Sequence, residues 1–129
     1  MSDQSDSFDE FLSGRLDAKI RDDAKNNSAV ICDAAPGHRV IYVSESFEEH
    51  TGYSPEEAIG KNLSFLQGPA SETVAIEKFR DLIHNERIGS VTITNYRKDG
   101  SPFRHQCELR PVRDAEGVVT HFIAIQRLA

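Results

Sequence analysis

Asparagine, histidine and glutamine occupy positions from which strand geometry sends side chains inward. The segments 91–97 and 103–112 alternate apolar and polar residues, and 118–128 reads as the last strand. A period of two places Val91, Ile93 and Asn95 on one face, Phe103, His105, Cys107 and Leu109 on a second, and Phe122, Ala124 and Gln126 on a third. With these faces turned inward, the core receives Asn95, His105 and Gln126. Each needs a partner, because a buried polar group without one costs about 1–3 kcal/mol. The partners available are one another, ordered water, or the polar edge of a ligand. Asn62 and Gln67 flank the apolar Leu63, Phe65 and Leu66. Two amides there and two on the sheet suit a flat, heteroatom-edged ring held between apolar walls.

Other chemistries find less support. Cys32 and Cys107 are far apart, and no Cys-x-x-Cys or His-x-x-x-His spacing occurs. Zinc needs three or four ligands, and a thiol nucleophile needs a convergent base and orienting group. Neither set is identifiable, so neither a metal centre nor an enzyme is expected. His38, His50, His84 and His121 read as surface or helix-end residues.

The elements that must position the polar set follow from periodicity and punctuation. The first six residues read as disordered. Ser7 and Glu10 have capping-box spacing, and Phe8, Phe11, Leu12, Leu16, Ile20 and Ala24 form an apolar helical stripe over 8–24. Residues 29–33 and 39–43 are short β-rich runs joined by a turn. Ser54-Pro55-Glu56-Glu57 starts a helix that Gly60 stops. A capped helix over about 71–85 has Val74, Phe79, Leu82 and Ile83 as its core face. Asp99-Gly100 marks a hairpin, and 114–117 turns the chain into the last strand. The expectation is an α+β fold, a five-stranded antiparallel sheet with helices on one face, preceded by an amphipathic helix. The units read as 1–28, a cap, and 29–129, the domain proper.

Bulk properties bound the function. With 38% hydrophobic and 28% charged residues the 129-residue chain has the composition of one globular domain. A net charge of −6 argues against nucleic acid or anionic membrane as partner. The start MSDQSDSFDE has neither the basic flank nor the apolar run of a signal peptide, and two unpaired thiols fit a reducing compartment, so a cytoplasmic protein is expected.

Several segments together resemble a known family. Gly60-Lys-Asn-Leu-Ser-Phe-Leu-Gln-Gly-Pro69 is similar to the signature of LOV (light-oxygen-voltage) domains, commonly Gly-Arg-Asn-Cys-Arg-Phe-Leu-Gln-Gly-Pro. Asn95-Tyr-Arg-Lys-Asp-Gly100 resembles the family's Asn-Tyr-x-Lys-x-Gly hairpin, and Phe122-Ile-Ala-Ile-Gln126 its closing Phe-x-Gly-x-Gln. Ile41–Phe47 and Thr51–Glu57 resemble its early strand and helices. The resemblance covers about residues 29–127 and implies a PAS fold binding flavin mononucleotide (FMN) non-covalently. By position, Asn62 and Gln67 face the ribityl chain, Arg80 the phosphate, Asn95 the pyrimidine edge of the ring, and Gln126 the carbonyl and nitrogen beside the reactive carbon. Three positions depart: Leu63 replaces the light-reactive cysteine, Ser64 a second phosphate arginine, and His105 a ring-binding asparagine.

Two readings follow. One is a blue-light or redox sensor in which no cysteinyl adduct forms and light-driven reduction of the flavin alters its bond to Gln126. The other is a PAS interaction or dimerisation module without flavin. Either is expected to act through contact, as a homodimer using Phe8, Phe11, Leu12, Leu16, Ile20 and the open sheet face, or with another protein partner; the alternative for the helix is to fold back on its own sheet and leave a monomer.

Overall fold

The computed structural model describes residues 3–128, with side chains from Ser7 onward. Strands β1 (Ser28–Asp33), β2 (Val40–Val43), β3 (Gly89–Tyr96), β4 (Pro102–Arg113) and β5 (Val119–Leu128) form one sheet in the order β2-β1-β5-β4-β3. Every neighbouring pair is antiparallel, as the alternation predicts. At the Asp99-Gly100 turn, Gly100 takes a φ of 88° and Asp99 accepts from the Ser101 amide at 2.8 Å. That turn sets the register that pairs Ile93 with His105 and Asn95 with Phe103.

The chain between β2 and β3 carries two helices on its way to the signature segment, two further helices, α1 (Asp3–Ser13) and α2 (Ala18–Asn26), having preceded β1. Helix α3 (Ser46–Thr51) is followed by α4 (Pro55–Ala58), a 3-10 turn (Leu63–Leu66) and α5 (Thr73–His84). Helix α4 begins with the expected reciprocal cap: Ser54 Oγ accepts from the Glu57 amide, and Glu57 Oε1 from the Ser54 amide. Helix α5 departs from expectation at its cap and on its face. Ser71, expected to cap, donates instead to the Thr94 carbonyl at 2.5 Å. Glu72 accepts from the Thr94 amide and hydroxyl at 2.8 Å each, tying the helix start to β3. Val74, expected in the core, is 79% exposed, while Ala75, Ile76, Phe79, Leu82 and Ile83 pack inward. The inward stripe of α5 runs from Ala75 through Phe79 and Leu82, one position on from Val74.

The N-terminal segment differs most. The stripe read as one helix is two, α1 (Asp3–Ser13) and α2 (Ala18–Asn26), and Asp17 caps the second by accepting from the Ile20 amide at 3.0 Å. Residues 3–6, expected to be disordered, lie in α1, so Ser7 sits inside a helix and has no start to cap; Met1 and Ser2 fall outside the described residues. The two helices cover the sheet face opposite α3–α5. Phe8, Phe11, Leu12 and Ala24 are buried against Ala29, Ile31, Val112, Ile123 and Ile125, with Leu16 and Ile20 partly buried beside them. The stripe expected at a contact between two copies is therefore covered by the chain's own sheet. Helices consequently lie on both faces, and β1 and β5 are buried on both sides. Val30, Cys32, Phe122 and Ala124 belong to the core under α5, and their neighbours in sequence to the cap. That is why both strands read as near-continuous apolar runs. No helix among the described residues is long and apolar enough to cross a membrane.

Candidate functional site

Two hollows lie between the sheet and the segment 62–84, and the seven residues singled out from the sequence line them. The outer one, a cleft of about 410 Å³, is bordered by Asn62, Leu63, Gln67 and Arg80 together with His38, Ser64 and the apolar face of α5. The inner one, of about 20 Å³, is bordered by Asn95, His105, Cys107 and Gln126 from the sheet and by Leu63, Leu66, Gln67 and Phe79 opposite. Leu63, Gln67 and Phe79 line both and form the partition. The outer volume lies within the roughly 300–1,000 Å³ usual for small-molecule sites. The inner one has room for about one water.

Local chemistry shapes the outer cleft. Asn62 caps the 3-10 turn, with Oδ1 accepting from the Ser64 amide at 2.9 Å and the Ser64 hydroxyl at 2.6 Å, while Nδ2 donates to the Gly37 carbonyl at 2.7 Å. Much of its capacity is thus spent on holding the loop. Leu63 follows, 9% exposed, at the head of that turn. Gly68 passes directly under the Tyr96 ring, and Tyr96 Oη accepts from the Ala70 amide at 2.8 Å, fixing the Gln67-Gly68-Pro69 segment. A Cβ at Gly68 would overlap that ring. Gly68→Ala is expected to cost about 1–3 kcal/mol by displacing Tyr96, measurable by urea unfolding; an unchanged midpoint would mean the approach is looser than described.

The inner hollow is polar on its sheet side. Asn95 and His105 are diagonal neighbours on β3 and β4, with Asn95 Nδ2 and His105 Nε2 at 2.8 Å. Both are buried, at 5% and 1% exposure. With Nδ2 donating, Nε2 accepts and the ring proton sits on Nδ1. Asn95 Oδ1 and His105 Nδ1 are then left as one acceptor and one donor without partners. Burial, reinforced by nearby His50, pushes His105 from 6.5 down to about 4, so its ring is neutral at pH 7. Gln126 is also buried, and its Oε1 accepts from Ser28 Oγ at 2.9 Å. Cys107 lies opposite Gln126 in the register. Burial pushes the Cys107 and Cys32 thiols up to about 12, leaving neither as a thiolate.

Three contributors escaped the sequence reading. His38 and His84 line the outer cleft, though no periodicity marks either; His38 arrives through the crossing of the β1–β2 turn over the signature loop, where its carbonyl accepts from the Leu63 amide. Ser28 is the partner of Gln126, a pairing visible only once β1 lies beside β5.

Residues 27–127 match the family model described as a PAS domain. Among curated proteins, the chain is 36% identical over 112 residues to the bacterioopsin transcriptional activator of Halobacterium salinarum (87% of this chain, 17% of that protein). It is 43% identical over 98 residues to phototropin-2 of Oryza sativa (75% and 11%). The chain thus spans less than a fifth of the length of these two relatives. A solved light-oxygen-voltage domain, from work on that domain's mechanism with a flavin analogue, superimposes with a TM-score of 0.80 at 34% identity, covering 88% of this chain and 86% of that one. Motifs, sheet order and these likenesses agree: the chain belongs to the LOV subfamily of PAS domains.

Proposed function

We propose that this chain is a sensory domain that takes FMN across the two hollows and signals without a cysteinyl adduct. The observation that carries the reading is the pair of buried, partnerless atoms, Asn95 Oδ1 and His105 Nδ1, on two residues that line the inner hollow. An acceptor and a donor on diagonal neighbours of β3 and β4 suit the alternating imide edge of a flavin, and Arg80 in the outer cleft suits its phosphate. The donor set fits the cofactor; the space admits its ring once Leu63, Gln67 and Phe79 part. A bound flavin supplies a blue-absorbing, reducible ring. Leu63, in the position of the family's cysteine, supplies no thiol to it.

Gln126 is the relay in this reading. Its amide faces the inner hollow and holds Ser28 Oγ. Ser28 opens β1 directly after Asn27, the C-terminal cap of α2, whose carbonyl accepts from Ser44 and Ser46. Rotation of the Gln126 amide takes the acceptor away from Ser28 and loosens the junction that seats α1 and α2. Release of the cap frees Phe8, Phe11, Leu12, Leu16 and Ile20 for a second copy or a protein partner.

A second reading, a PAS interaction module without flavin, is favoured by the small inner hollow. Colour separates the two. The purified chain is expected to be yellow and fluorescent, and denaturation to release a flavin identifiable by mass. In the same preparation Gln126→Leu is expected to retain the flavin and lose any light-dependent change in protease sensitivity of residues 1–27. A colourless protein that takes up no added FMN would leave the module reading.

A further inference from the structure

The inner hollow is small for a specific reason. His105 stands where the resemblance to LOV domains implies a shorter asparagine, and its imidazole reaches across the β3–β4 diagonal to bond Asn95 at 2.8 Å. The bond joins two side chains that both border the space a ring must enter. It uses the Asn95 donor and the His105 acceptor on each other, leaving only Oδ1 and Nδ1 to a ligand. Phe103 packs edge-on against His105 with ring centroids 5.2 Å apart, and His50 against Phe103 at 6.0 Å. The imidazole is therefore braced from behind and cannot retreat without disturbing that stack.

We infer that the Asn95–His105 pair is a latch that shuts the ring compartment, so that His105 sets the affinity and exchange of the flavin. The inference rests on the flavin reading above. Opening the latch breaks one buried hydrogen bond and moves an aromatic ring before any contact with the ligand forms. Affinity is reduced by whatever that opening costs, as for any protein whose binding-competent state is a minor one. Because the latch acts on the ring, it weakens riboflavin and FMN equally. Contacts to the phosphate act on FMN alone.

The test is a titration of the flavin-free chain with riboflavin and with FMN, followed by quenching of flavin fluorescence, in the native protein, His105→Asn and His105→Ala. Asparagine is shorter and keeps a donor and an acceptor; alanine removes the plug outright, and serves should the first variant fold poorly by circular dichroism. His105→Asn is expected to bind riboflavin and FMN about tenfold more tightly than the native chain, the order of one buried hydrogen bond no longer broken on entry, and His105→Ala, which also loses the Nδ1 donor, to bind both more tightly by a smaller factor. The FMN-to-riboflavin preference is expected to stay unchanged. Equal affinity in native protein and variants, or weaker binding in both variants, would overturn the latch while leaving the flavin reading intact. No binding by any of the three would overturn both.

Discussion

Acidifying the protein from pH 7 to pH 4 is expected to remove about 3 kcal/mol of folding stability through His105 alone. Burial holds this imidazole at about 4 in the folded chain, against 6.5 when solvated. The unfolded chain therefore takes up a proton as the pH passes 6.5, and the folded chain does not until about 4. Where the unfolded state binds more protons, stability falls as pH falls. The loss begins near 6.5, accumulates to about 4 and then levels off; at about 1.4 kcal/mol per pH unit the interval gives the stated figure. His50 and His121 are pushed down by burial as well and act in the same direction. They remain in His105→Asn, so the difference between the two proteins isolates His105. Urea unfolding at half-unit pH steps measures it. The native chain is expected to lose about 3 kcal/mol more than the variant between pH 7 and pH 4, and parallel curves would show that His105 is solvated or already protonated in the fold.

Leu12→Ala is expected to cost about 2–5 kcal/mol, the range for emptying a fully buried leucine site. Leu12 is 0% exposed and sits with Phe8 and Phe11 on Ile31, Val112, Ile123 and Ile125. Among the described residues, helix α1 meets the sheet through these apolar contacts and the Phe11 ring against Tyr42 and His121. The loss should therefore appear first as undocking of the cap, with faster tryptic cleavage at Arg15, Lys19 and Arg21, and only then as a lower urea midpoint. The uncovered Ile31, Ile123 and Ile125 should also promote association of copies, seen by light scattering. Unchanged cleavage and stability together would show that the cap is held by something other than this apolar seam.

The fold was legible where local chemistry and tertiary need agree. Asp99-Gly100 forms the turn its residues favour, Ser54 and Glu57 cap each other as their spacing demands, and alternation in 91–97 and 103–112 marks the inward faces. It was illegible where a residue serves a distant strand. Ser71 and Glu72 look like helix-start residues and instead clamp Thr94. The apolar stripe from Phe8 to Ala24 is continuous on paper, yet Gly14 and the cap at Asp17 bend the chain to follow the sheet. The covering of both sheet faces was encoded in the unbroken apolar runs of β1 and β5, which a reading by alternation alone passes over.

The candidate site shows the same division. Residue types named Asn62, Leu63, Gln67, Asn95, His105 and Gln126, the family resemblance added Arg80, and the fold gathers them around the two hollows. That His105 bonds Asn95, and that Gln126 holds Ser28, depends on the β3–β4 diagonal and the β1–β5 register, neither of which any single strand reveals.

The side-chain amides themselves offer the most direct test. In a nitrogen-15 correlation spectrum, the amide groups of Asn95 and Gln126 are expected to shift on addition of FMN and to saturate at one equivalent. The exposed Gln106, on the same strand as His105 but facing away, is expected to stay in place. Saturating FMN that moves neither Asn95 nor Gln126 would contradict the placement of a flavin ring between the sheet and Leu63.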